Sequence, residues 1–252
     1  MHPANRTELD DAVGLVRATG ELTLRWFRSP ELVVDEKRDG TPVTVADREA
    51  ETFLRERIAQ RWPGDAIVGE EHPDTAGTTG RTWIIDPIDG TKAFTAGVPL
   101  YTNLLALHDE HGGVIGIVNV PALGITVWAG RGLGCFENGL PARVSDRTDV
   151  RGSVVSSSGF EHWSVDQIAA VKAAGAHLRT WGDGYGFVLV ATGRIEAMVD
   201  PQLAVWDMAP MPVILSEAGG RFSDLDGVTR IDGTGGVATN GAVHDDLLTL
   251  LR

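Results

Sequence analysis

The sequence predicts a layered α/β fold in a single compact unit over residues 1–252. Three observations point there. The chain has 252 residues, 42% of them hydrophobic and 23% charged, which is enough apolar material for a buried core and suits one α/β domain or two tightly packed halves. Segments with helical periodicity are mixed along the chain with short apolar strands. No repeat and no low-complexity linker interrupts the pattern, and the softest internal boundary falls near residues 145–152.

Leu9, Ala12, Val13, Val16, Thr23 and Phe27 recur at helical spacing, so a helix is expected over 7–28, ending near Ser29-Pro30. A second helix is expected over 45–62, with Ala50, Phe53, Leu54 and Ile58 on one face. Thr44 followed by Asp47 starts it in the manner of a capping box, and Trp62-Pro63-Gly64 stops it. Ala66-Ile67-Val68-Gly69 and Thr82-Trp83-Ile84-Ile85 read as short buried strands, with a mobile Gly/Thr/Pro-rich loop at 72–81. Residues 103–108 and 114–120 read as strands joined by a turn at Asp109–Gly113. Ile125–Ala129 and Gly134–Phe136 continue that antiparallel run, with Asn138-Gly139 as a turn signal. A second half begins at 153–157. Its helices fall near 164–174, 184–193, 206–217 and 243–251, and its strands near 177–181, 196–199, 221–223 and 236–239.

Lys plus Arg total 22 against 35 Asp plus Glu, a net charge of −13. That excess argues against an extended nucleic-acid or anionic-membrane surface. It also means that an anionic substrate needs a cationic bridge. No apolar run is long enough to span a bilayer, and the polar start, Met1 to Asp11, carries no signal-peptide core. The one cysteine, Cys135, excludes an internal disulfide, so a reducing cytoplasm is the expected setting.

Three acidic clusters each stand at the end of a regular element: Gly69-Glu70-Glu71, Asp86-Pro87-Ile88-Asp89-Gly90-Thr91, and Trp206-Asp207. The middle one is the most informative. Pro87 fixes φ and turns the chain, so that both carboxylates and the Ile88 carbonyl can face one side. Gly90-Thr91 allows close approach to a ligand, and Lys92-Ala93-Phe94 can open a helical turn whose free N–H groups suit a phosphate. Donors that are all oxygen favour Mg2+ or Mn2+ over zinc, and two or three such ions would supply the missing positive charge. Each cluster also has a plain alternative. Glu70-Glu71 reads as a solvated face, Asp207 and Asp47 as helix-start acids, and Asp-Pro-Ile-Asp-Gly as a turn. Their joint occurrence at element ends favours the metal site.

These residues resemble the inositol monophosphatase-like family of Mg2+-dependent phosphatases. The matching stretches are Gly69-Glu70-Glu71, Trp83-Ile84-Ile85-Asp86-Pro87-Ile88-Asp89-Gly90-Thr91, and Trp206-Asp207-Met208-Ala209 through Glu217-Ala218-Gly219-Gly220. The resemblance covers roughly residues 10–250. It implies the five-layer α/β/α/β/α sugar-phosphatase fold, usually as a homodimer. It implies metal ligation by Glu70, Asp86, Asp89, Asp207 and the Ile88 carbonyl. Thr91 and its acidic partner Asp47 would help deprotonate a metal-activated water for in-line attack, with Glu70 reaching that water through the metal. The amides of Gly90 and Thr91 would hold the phosphate, and Li+ would inhibit.

Within the family, Gly182-Asp183-Gly184-Tyr185-Gly186-Phe187, Val190-Ala191-Thr192-Gly193-Arg194 and Met198-Val199-Asp200-Pro201 resemble the histidinol-phosphate phosphatase branch. This implies hydrolysis of L-histidinol phosphate in histidine biosynthesis, with Asp183, Asp200, Asp207 and Arg194 near the substrate. Arg194 also reads as a solvated helix-end cation or as a partner for a carboxylate across a dimer. Pro210 and Pro212, where the family usually carries small residues, predict a distorted first helical turn. Inositol 1-phosphate or another small sugar phosphate is the alternative substrate. A catalytically inactive metal-binding regulator and a paired-carboxylate glycosidase are the alternatives from other classes. Gly130-Arg131-Gly132-Leu133-Gly134 lacks full dinucleotide-loop spacing, and Asp224-Leu225-Asp226-Gly227 lacks the later ligands of a calcium loop.

Overall fold

The computed structural model describes residues 2–37 and 40–252. Asn5 caps α1 (Arg6–Trp26) by accepting from the Glu8 amide. Strands β1 (Val34–Glu36) and β2 (Pro42–Thr44) form a small antiparallel pair that the sequence pattern does not announce. They lead into α2 (Val45–Arg61), where the capping box forms: the Ala46 amide donates to Thr44 Oγ1, and the Thr44 amide donates to Asp47 Oδ2.

Seven strands follow in a sheet whose order is that of the sequence: β3 (Ala66–Gly69), β4 (Thr82–Asp89), β5 (Thr102–Asp109), β6 (Gly112–Val120), β7 (Ile125–Gly130), β8 (Gly134–Glu137) and β9 (Leu140–Pro141), with the short helix α3 (Thr91–Thr95) between β4 and β5. Within this sheet β3 and β4 pair in parallel and the other neighbours pair antiparallel. The second half adds β10 (Val154–Ser156), α4 (Val165–Ala173), β11 (His177–Arg179), α5 (Asp183–Ala191), β12 (Ala197–Asp200), α6 (Val205–Met208), α7 (Met211–Ala218), β13 (Arg221–Ser223), β14 (Gly236–Thr239) and α8 (His244–Leu251). Its sheet has the order β11-β10-β12-β14-β13.

Strand alternation turns these elements into five layers. Ile85, Leu105, Leu107, Ile115 and Ile117 face Leu9, Val13 and Val16 of α1 and Leu54 and Ile58 of α2. Leu104, Val118 and Val127 face the other way, onto Phe187 and Val190 of α5 and Ile214 and Leu215 of α7. Met198 and Ala238 of the five-stranded sheet close that middle layer. Val155, Ala197, Val199 and Val237 point outward onto Val171 of α4 and Leu247 and Leu251 of α8. This is the α/β/α/β/α arrangement. With both faces of each sheet covered, the strands read as apolar runs instead of clean alternations.

One expectation is corrected. The helix expected over 206–217 is two helices, α6 and α7, because Pro210 lacks the N–H that an unbroken helix needs there. The 72–81 loop, expected to be mobile, is tied to its surroundings at three points. Thr75 and Ile67 exchange backbone hydrogen bonds of 2.8 and 2.9 Å, Thr79 Oγ1 donates to Asp65 Oδ1 at 2.6 Å, and Arg55 donates to the His72 carbonyl at 3.0 Å. The glycine-rich stretch at 130–134 is a hairpin whose Gly132 and Gly134 amides donate to Glu217 at 2.7 and 2.8 Å. Its donors are therefore already engaged. No helix among the described residues is long and apolar enough to cross a membrane.

Candidate active site

The site gathers where β3 and β4 end and where α3, α5 and α6 begin. Strand β4 pairs Asp86 with Leu104 and then Asp89 with Thr102, so Pro87 and Ile88 bulge out of the ladder. A bulge bends the strand and re-aims its side chains. Ile88 anchors this one among Ala46, Phe94 and Tyr101. Asp86, Asp89 and Asp207 are thereby brought together, each offering a carboxylate oxygen within 4.8 Å of the others.

Two of the three acids are also held from behind. Asp89 Oδ2 accepts from Thr102 Oγ1 at 2.8 Å and from the Gly184 amide at the start of α5. Asp207 Oδ2 accepts from the Ala204 amide at 2.8 Å. Asp86 Oδ1 is buried and has no hydrogen-bond partner among the described residues. Burial pushes the carboxyls of Asp86 and Asp89 well above their ordinary range, and repulsion from neighbouring acids adds to it. Burial likewise pushes Asp207 up to about 6. Converging buried carboxylates with an orphaned oxygen fit a hard divalent cation, which supplies the missing partner and reverses the repulsion.

Glu70 lies at the rim, just after β3. It is close enough to Asp86 and Asp207 for mutual repulsion but stands outside the tight trio. Lys37, which the sequence analysis missed, donates 2.6 Å hydrogen bonds to both Glu70 and Glu71. Burial opposes the ammonium charge, but these two bonds outweigh it and hold the lysine above its usual range. A signal was available: only three of the 22 basic residues are lysines, and Lys37 and Lys92 both lie at the acidic cluster.

Asp47 and Thr91 meet although 44 positions separate them: Thr91 Oγ1 lies 3.4 Å from Asp47 Oδ1 and donates to the Ile88 carbonyl at 3.0 Å. Asp47 Oδ2 is committed to the Thr44 amide and hydroxyl, at 2.8 and 2.5 Å. Burial raises the Asp47 carboxyl, partly offset by those bonds. Gly90 caps α3 at φ +78°, and a side chain there would collide with Asp183, whose Oδ2 lies 2.7 Å from the place of a Cβ.

Asp183 therefore sits directly over Gly90. It adopts φ +53°, a left-handed conformation that aspartate tolerates better than most residues, and its amide donates to Ser158 Oγ at 2.7 Å. Asp200, expected to meet substrate itself, is 4% exposed and already engaged. It accepts from Ser157 Oγ at 2.7 Å, from the Ser158 amide at 2.8 Å and from Ser158 Oγ at 2.5 Å. It reaches the site through Ser158, another residue that the sequence did not flag. Arg194 is not brought there. It lies beyond the far end of α5, a helix about 14 Å long at ~1.5 Å per residue. There it pairs with Glu137 of β8 at 2.8 and 3.0 Å.

Fold and site together define a metal-dependent phosphatase. Residues 5–252 match the model of the inositol monophosphatase family, and the chain belongs to that family. It is thus a phosphoric monoester hydrolase. It is 38% identical over 250 residues to a histidinol-phosphatase of Mycobacterium tuberculosis, covering 96% of each chain. It is 41% identical over 249 residues to a histidinol-phosphatase of Chlorobaculum parvum, covering 97% of this chain and 96% of the relative. Among solved structures, the extragenic suppressor protein suhB of Bartonella henselae superposes with a TM-score of 0.91 at 25% identity, covering 98% of both chains.

Proposed function

We propose that the protein hydrolyses L-histidinol phosphate to L-histidinol and phosphate, with Mg2+ as its cation. Asp183 carries this reading. A carboxylate poised over the Gly90 turn disfavours a bare phosphate, but it suits an ester whose ammonium sits on the carbon next to the phosphorylated methylene. The named histidinol-phosphatase relatives support the same choice.

Asp86, Asp89, Asp207, Glu70 and the Ile88 carbonyl would hold the cation. When bound, it supplies Lewis-acid stabilisation of the phosphoryl charge and acidifies water. The chain's own residues do the rest. The Gly90 and Thr91 amides, at the start of α3 where no intrahelical acceptor is in reach, receive phosphoryl oxygens. Thr91 Oγ1 accepts the proton of the attacking water and passes its own to Asp47 Oδ1, the oxygen left free by the capping box. A bond from the water oxygen to phosphorus forms as the ester P–O bond breaks in line, and solvent returns a proton to the departing alkoxide.

The test is phosphate release from L-histidinol phosphate and from inositol 1-phosphate, side by side, with Mg2+ and with EDTA. A preference for histidinol phosphate of ~100-fold in kcat/KM, about 2.7 kcal/mol in transition-state binding, is the expected result. The reverse ratio replaces the substrate, and EDTA-insensitive turnover removes the cation.

A further inference from the structure

The bulge that aims Asp86 and Asp89 leaves backbone groups without ladder partners. Register passes from Asp86↔Leu104 to Asp89↔Thr102, so Pro87 and Ile88 share one partner position, that of Asn103. Thr91 serves the Ile88 carbonyl. The Pro87 carbonyl is served by Asn103 Nδ2 at 2.7 Å, and Asn103 is fully buried.

Because Pro87 offers only an acceptor, the direction of everything behind it is fixed. Asn103 must turn its Nδ2 to Pro87, so its Oδ1 accepts from Asn119 Nδ2 at 3.0 Å. Asn119 Oδ1 then accepts from Thr126 Oγ1 at 3.0 Å, and Thr126 Oγ1 accepts from Arg17 Nε at 3.2 Å. The row crosses β5, β6 and β7 and ends on a guanidinium that lies over the Trp128 ring. Each link donates toward the bulge, the arrangement in which successive bonds strengthen one another. Gly20 of α1 makes room for it, since a Cβ there would fall 2.3 Å from Asn119 Nδ2.

We infer that Asn103 is a positioning residue for the cation site: it fixes the Pro87–Ile88 peptide and so holds Asp86 and Asp89 on one side, with Asn119, Thr126 and Arg17 as its outer support. This rests on the assignment of Asp86, Asp89 and Asp207 as cation ligands.

The experiment is calorimetric titration of the EDTA-treated, dialysed protein with Mn2+ and with Mg2+, paired with KM for the phosphate ester at saturating cation. In Asn103→Leu the cation dissociation constant should rise ~10–100-fold, the usual scale for groups behind the ligands. KM at saturation should stay within about threefold of the parent value. Thr126→Val, which cuts the row two links further out, should raise the dissociation constant by less. Asn103→Ser, which does not overfill the site, is the second variant should Asn103→Leu fail to fold. An unchanged dissociation constant in either folded Asn103 variant overturns the inference. So does an equal loss in the Asn103 and Thr126 variants, which marks general loosening. A parent protein that binds neither cation refutes the ligand assignment itself.

Discussion

Asp183→Asn separates recognition of the substrate from the chemistry. Asparagine tolerates the left-handed backbone at φ +53° and keeps the amide bond to Ser158, so the change removes charge and little else. A carboxylate–ammonium contact at ~4 Å is worth about 4 kcal/mol at an effective dielectric of ~20. Asp183 is only partly buried and Lys92 already offsets some of its charge, which brings the loss nearer the ~1.5–3 kcal/mol of a hydrogen bond to a charged group. About 2 kcal/mol corresponds to a ~30-fold fall in kcat/KM for histidinol phosphate. Glycerol 1-phosphate, with a hydroxyl in place of the ammonium, should respond with the opposite sign, because the variant also removes repulsion of the phosphate. Initial-rate kinetics on both esters at saturating Mg2+ decide the matter. A fall of similar size on both refutes ammonium recognition by Asp183.

Thr91→Val preserves shape and deletes the hydroxyl between Asp47 and the Ile88 carbonyl. We expect kcat to fall ~10^2–10^4-fold with KM little changed, and a kcat within fivefold of the parent value would remove Thr91 from proton transfer. Asp207, pushed up to about 6 by burial, stays protonated in the folded cation-free chain at pH 5 but is ionised when unfolded. Its contribution to stability is therefore present at low pH and lost as pH rises through about 6. Mg2+ pairs with the ionised form, so the Tm gain on adding Mg2+ should be larger at pH 7.5 than at pH 5, and scanning calorimetry showing the reverse order would sink this account. Two glycines of α1 should part company in urea denaturation. Gly14→Ala meets nothing within 4 Å and should gain about 1 kcal/mol from helix propensity, whereas Gly20→Ala runs into Asn119 and should lose ~1–2 kcal/mol. Equal effects would mean that Asn119 is not held against the helix.

What the sequence disclosed divides along physical lines. Helix α1, α2 with its Thr44 cap, and strands β13 and β14 are legible because periodicity and capping are local. The Asp86–Thr91 turn is legible for the same reason: its ligands, its proline and its left-handed glycine lie within six residues. Contacts made by topology are not. Lys37 reaches Glu70 across 33 positions, and Asp200 reaches Ser158 across 42. No periodicity marks such pairs. Arg194 reads together with the stretch that starts at Asp183, but α5 runs from Asp183 to Ala191 and leaves Arg194 beyond its far end, paired with Glu137. The bulge was hidden in a strand that looked finished at Ile85, and its second carbonyl partner, Asn103, looked like one more strand residue.

The charge balance explains why so much of the chain's polar structure points at one place. A protein of net charge −13 that binds a phosphate must locally reverse its own field, yet among the described residues the pocket holds Lys37 and Lys92 against Glu70, Glu71, Asp86, Asp89, Asp183 and Asp207. Lys37 is bound to two of those acids and cannot also serve as a free phosphate clamp. Lys92 and the Gly90 and Thr91 amides are too few to offset six acids, so on the proposed reading cations held by the carboxylates supply most of the attraction and phosphate affinity should follow cation occupancy. Discrimination among esters then falls to groups that the cation does not neutralise. On the proposed reading that group is Asp183, set above the turn by Ser158 and outside the Asp86–Asp89–Asp207 trio although near enough for its charge to be felt by Asp89 and Asp207.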